Sequence, residues 1–189
     1  PENHGARWIR DPNIHPMERM SVKEDNLWIR QALIENYNQY AQGLDSKDWP
    51  LVRGCFADEV YIDYGPISAP SGDPAIPRRA DDWLGILQGV INGFDITRHF
   101  ITNHRFLVSE TGLGCRAYLS ADHVIFPDPA QPIIGPDDVV TVVGEYTNHY
   151  RQIGDSWKIC KSELVVHWSS GNIALFIAAA ERAQAQHRQ

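Results

Sequence analysis

Three histidines fall at positions where simple packing is a poor explanation for them. His123 belongs to a run in which Leu113, Cys115, Ala117, Leu119, Ala121, His123 and Ile125 occupy every second position. In a strand it is therefore the one ionisable group on an otherwise apolar face. A core histidine satisfied by one hydrogen bond fits that pattern, but the small Ala117 and Ala121 also leave room for a ligand. His99 lies in Ile96-Thr97-Arg98-His99-Phe100-Ile101-Thr102-Asn103, where it shares strand parity with Ile101 and Asn103. His167 shares a face with Trp157, Ile159 and Val165, and Tyr146 and Asn148 share one with Val140, Val142 and Gly144. Imidazole exchanges a proton near neutral pH, so histidines gathered on apolar faces point to proton transfer. Asp45, in Gly43-Leu44-Asp45-Ser46-Lys47-Asp48-Trp49, is a carboxylate just past an amphipathic helix and is equally hard to read as packing.

Other chemistries find little support. The histidines lack a helical HxxxH spacing, no paired cysteines or ligand-dense loop accompany them, and no metal site is expected. There is no GxSxG elbow, no cysteine with a histidine close in sequence, and no glycine-rich phosphate or dinucleotide loop. A formal net charge of −7 with no block of Lys and Arg argues against a nucleic-acid or anionic-membrane partner. The longest apolar run, Ile173 to Ala180, is far short of the ~20 residues of a membrane span. Cys55, Cys115 and Cys160 read as reduced thiols, and no charged segment followed by an apolar stretch marks a secretory signal. A cytoplasmic location is the expectation.

The elements that must position these groups follow from periodicity. With 189 residues, 43% of them hydrophobic, the chain suits one domain with a real core. Residues 1–24 are polar and proline-containing and read as an arm, and 25–189 as the single domain. Ile29, Leu33, Tyr37, Tyr40 and Leu44 recur at helical steps, with Gly43 as a stop. Ser46 is placed to cap a second short helix reaching Phe56, with Pro50 in its first turn. A short strand over 60–64, a loop from Gly65 to Arg79, and a helix beginning at Asp81 or Asp82 come next. Strands over 96–108, 113–126, 138–152 and 156–168 and a last helix over 172–187 complete the chain. This order predicts an α+β fold, a curved antiparallel sheet wrapped around helices and leaving a cone-shaped pocket.

Two stretches carry a resemblance to a known family. The run from Leu44 to Tyr64, opening LDSKDW and closing IDY, and the stretch TRHF resemble scytalone dehydratase and its SnoaL-like relatives in the nuclear transport factor 2-like superfamily. The resemblance covers roughly residues 25 to 170. It implies an α+β barrel, no cofactor, and an Asp45–His99 pair in which the carboxylate orients the imidazole. It also implies a second histidine at His123 and a substrate-binding phenol at Tyr64. Tyr40, five residues before Asp45, matches the catalytic tyrosine of a bile-acid dehydratase relative. Asn103, Tyr146, Asn148 and His167 complete the expected substrate-binding set. Two positions depart from the pattern: Leu44 replaces a pocket tyrosine, and His167 stands where the family has an arginine. Loss of that fixed positive charge argues against a substrate anchored by a carboxylate or thioester-phosphate. Relatives are commonly trimers, so a homotrimer is expected.

The reaction so implied is loss of water from a hydroxylated, largely apolar aromatic or polycyclic small molecule. Alternatives are dehydration coupled to C–C cleavage of a lignin-derived diaryl compound with release of formaldehyde, isomerisation or polyketide cyclisation, and a non-catalytic binding role.

Overall fold

A computed structural model describes residues 16–65, 73–109, 112–186 and 188. The first helix, α1 (Pro16–Ser46), starts well before the expected position, so residues 16–24 of the anticipated arm are helical. The remainder of that arm, residues 1–15, and part of the expected loop, residues 66–72, lie outside the described residues. Leu33, Tyr37, Tyr40 and Leu44 form the buried stripe of α1, as their three- and four-residue spacing requires. Gly43 does not end the helix. A Cβ there would lie 2.7 Å from Val52 Cγ2 and 3.2 Å from the Asp48 carbonyl, so glycine serves the close crossing of α2 (Trp49–Gly54). The chain leaves α1 through Lys47, a non-glycine residue at φ 57°. Asp48, not Ser46, caps α2: its Oδ1 accepts the Leu51 N–H at 3.0 Å, while Ser46 Oγ donates back to the Gln42 carbonyl at 2.7 Å.

The sheet contains β1 (Phe56–Asp63), β2 (Arg78–Arg79), β3 (Ile96–Ser109), β4 (Gly112–Val124), β5 (Val139–Ile153) and β6 (Ser156–Gly171) in the order β2-β1-β6-β5-β4-β3. Neighbours are antiparallel except β1 and β6, which run parallel. The sheet is curved but not closed, with β2 and β3 as its edges. Helix α3 (Ala80–Ile91) and α1 supply the other side of the core, which gathers Tyr37, Tyr40, Tyr64, Trp83 and Tyr146. The last helix, α4 (Leu175–Gln186), packs on a smaller cluster with Phe94 and Val140. Gly93 lets it dock, because the Ala179 backbone occupies the space a side chain would need. Arg182 then forks onto Asp95, with Nη2–Oδ1 at 2.7 Å and Nη1–Oδ2 at 3.1 Å.

Three bulges in β3 and β6 decide which of their side chains face inward. Asn103, at φ 57°, lies where the pairing slips between Thr102↔Tyr118 and Arg105↔Arg116. Cys160 is the extra residue between Tyr150↔Ile159 and His149↔Lys161. His167 is the extra residue between Val143↔Trp168 and Gly144↔Val166. Each added residue moves the following side chains to the opposite face.

Candidate active site

The last turn of α1 and the start of β3 meet at Asp45. Because β3 is an edge strand, one side of its backbone has no strand partner. Asp45 serves that side. Its Oδ2 accepts the His99 backbone N–H at 3.0 Å, and its Oδ1 receives the Thr97 hydroxyl at 2.8 Å and His99 Nδ1 at 2.7 Å. The His99 side chain is 5% exposed and that of Asp45 17%. Burial alone would push the Asp45 carboxyl up, but the ring and backbone hydrogen bonds from His99, the charge of that ring when it is protonated, and the Thr97 hydroxyl together hold it below the usual carboxylate range. An ionised Asp45 fixes the proton on Nδ1 and leaves the Nε2 lone pair of His99 free for a base role. Asp45 thus belongs to the last turn of the helix and not to the segment after it, because α1 runs past Gly43 to Ser46.

His123 pairs across the sheet with Thr97 and faces the interior with Ala117, Leu119 and Ala121. Its ring lies 5.5 Å from that of His99, nearly perpendicular at 80°, and between Phe94 at 5.1 Å and Phe176 at 5.0 Å. Burial, and then the neighbouring His99, press its pKa down to about 4, so the ring is neutral at neutral pH. Nδ1 of His123 is buried without a hydrogen-bond partner among the described residues.

A second polar group sits deeper in the interior. Ser162 Oγ donates to Asn148 Oδ1 at 2.7 Å, so its oxygen is left to accept from the Tyr64 hydroxyl at 3.1 Å. Tyr40 OH lies 3.4 Å from Tyr64 OH, longer than a well-formed bond of this type. The Tyr146 ring meets Tyr40 at 6.1 Å and Tyr64 at 5.8 Å. Burial raises the pKa of all three phenols, which are therefore neutral donors. A cavity of about 450 Å³ opens between β1 and β6 along Tyr64, Leu164 and Val166. The dyad is not on its wall; Tyr64 links it to the hydroxyl group chain.

Asn103 and His167 lie elsewhere. Both are exposed, and each sits at a bulge that breaks the alternation on which its inward placement depended. Past Asn103, His104 and Phe106 turn inward, with His104 5.3 Å from the Tyr37 ring. Past Cys160 the inner set is Ser162, Leu164 and Val166, which puts Val165 outside. Sequence reasoning missed Thr97, although its parity with His99 was visible, and Ser162, which no signal ahead of the bulge could reveal. Among the described residues, no three His, Cys, Asp or Glu side chains are grouped to hold a metal ion.

The SnoaL-like domain family matches residues 25–163 of the chain. Scytalone dehydratase of Colletotrichum orbiculare is 29% identical over 151 residues, covering 77% of this chain and 75% of that protein. Scytalone dehydratase-like protein claB of Passalora fulva is 24% identical over 163 residues, covering 77% and 87%. The crystal structure of hexachlorocyclohexane dehydrochlorinase LinA-type3 from Novosphingobium barchaimii LL02 superposes with a TM-score of 0.62 at 14% identity, over 80% of this chain and 94% of that one.

Proposed function

The chain belongs to the SnoaL-like domain family, and from that premise we propose that it is a cofactor-independent lyase removing water from a hydroxylated, largely apolar aromatic small molecule. The observation that carries this reading is the Asp45–His99 contact, a carboxylate holding an almost fully buried imidazole by ring and backbone at once. The names of the relatives, dehydratase and dehydrochlorinase, both denote eliminations.

In the proposed reaction His99 Nε2 takes a proton from the substrate carbon, or from a hydroxyl conjugated to it through the ring. The electron pair forms the new double bond and expels hydroxide. A neutral donor assists its departure: a phenol of Tyr40 or Tyr64, or an N–H of His123. Because His123 is neutral, it serves as a hydrogen-bond donor and not as a cationic acid. The hydroxide takes its proton from that phenol or from the His99 imidazolium, and return of the proton restores the resting state. Asn148 and Tyr146 hold the inner end of the substrate or the departing water. Each positioned acid or base typically contributes ~10²–10⁴-fold.

The test is a panel of hydroxylated aromatics with products followed by mass. A product lighter by one water supports the reading. An isomer of unchanged mass would replace it with an isomerase or cyclase, and formaldehyde beside the product would extend it to C–C cleavage.

A further inference from the structure

Two buried nitrogen donors on adjoining side chains at the β2–α3 junction have no hydrogen-bond partner among the described residues. The Trp83 indole Nε1 is one, on a residue only 2% exposed, and Arg78 Nε is the other. The Arg78 guanidinium carbon stands 6.0 Å from the Trp83 ring, and Trp83 meets Tyr64 edge-on at 5.0 Å. Nearby members of the same residue types are paired. The Trp49 indole donates to Asn92 Oδ1 at 3.1 Å, Arg79 reaches Asp81 at 3.2 Å, and Arg53 holds both Asp58 and Asp81 at 2.7 Å. Arg78 makes no ion pair among the described residues. Unpaired buried donors carry a full desolvation penalty, so a site that keeps two side by side is suited to an acceptor from outside the chain.

We propose that Arg78 and Trp83 form an anion-accepting subsite beside Tyr64, which takes a carboxylate or phenolate oxygen borne on an aromatic ring. A guanidinium N–H and an indole N–H supply donors, and the aromatic faces of Trp83 and Tyr64 accommodate the ring. Arg78 thereby supplies a fixed positive charge that His167, exposed elsewhere, does not, which restores acidic aromatics to the substrate class. The proposal rests on this interior being the substrate site of the lyase, but it is read by binding and needs no turnover, so the two can fail separately.

Calorimetric titration with 4-hydroxybenzoate and its neutral isostere 4-hydroxybenzamide tests it, with melting temperatures taken in parallel. The wild type is expected to prefer the carboxylate by about tenfold or more, as a charge-assisted contact implies. Arg78→Gln should level the two probes, and Arg78→Lys, keeping the charge without Nε, should retain part of the preference. Trp83→Phe should weaken the benzoate several-fold with no fall in melting temperature, since the deleted N–H had no partner. 4-Nitrophenol, titrated above and below its own ionisation, separates phenolate from carboxylate recognition. Equal or undetectable binding of both benzoate and amide by the wild type, with no gain on ionisation of the phenol, would overturn the subsite, as would a preference surviving Arg78→Gln. A Trp83→Phe variant with lower melting temperature and unchanged binding would assign the indole N–H to the Tyr64 ring and remove Trp83 from it.

Discussion

Asp45 grips His99 at two points, accepting the ring Nδ1 on one carboxylate oxygen at 2.7 Å and the backbone N–H on the other at 3.0 Å. The backbone contact fixes the strand relative to α1, and the ring contact selects the tautomer. Asn can preserve only one of these. If its oxygen keeps the backbone N–H, its amide N–H faces Nδ1 and drives the ring proton to Nε2, the atom required to be basic. Asp45→Asn is therefore expected to keep the fold and lose about 10²–10⁴ in turnover. A variant within a few-fold of wild type would show that the tautomer does not matter.

Thr97 is buried and spends its hydroxyl proton on the same carboxylate at 2.8 Å. Thr97→Val keeps the volume and removes the donor, so it should destabilise the protein by about 1–3 kcal/mol at neutral pH. The sign follows from the depressed Asp45 carboxyl, whose contribution is present above the unfolded carboxylate pKa and disappears as pH falls through the folded one. Denaturant melts of wild type and variant at neutral and strongly acidic pH check it: the gap should be present at the first and closed at the second.

His123 gives the opposite type of residue the same sense of pH dependence. Its pKa falls from 6.5 to about 4 on folding, so the unfolded chain binds the extra proton between those values. Stability is full above about 6.5 and declines as pH drops toward 4, by on the order of 3 kcal/mol for this one group. His123→Phe should flatten that part of the stability–pH curve. An equally steep curve in the variant would place the proton uptake on another residue.

The elements and the contact between Asp45 and His99 were legible, for different reasons. Helical stripes such as Leu33, Tyr37, Tyr40 and Leu44 and the alternation of Cys115 to His123 record burial directly, and the dyad lies in two stretches with a family pattern. Asn103 and His167 were not legible because strand faces alternate with period two, and one inserted residue reverses everything after it. Asn103 itself carried the only hint, since Asn tolerates positive φ better than its neighbours do. Gly43 shows a related ambiguity: glycine at a helix end and glycine at a close helix crossing look alike until Val52 is seen against it.

The most direct test of the proposed chemistry is single-turnover conversion of the best aromatic substrate by His99→Ala, run beside thermal melts of the same protein. His99 is the group whose protonation changes, so its removal should abolish turnover while the variant still unfolds in one cooperative transition and is folded at the assay temperature. Full activity in the folded variant would contradict the account. So would a loss of activity that only tracks the unfolded fraction, which would make His99 a packing residue.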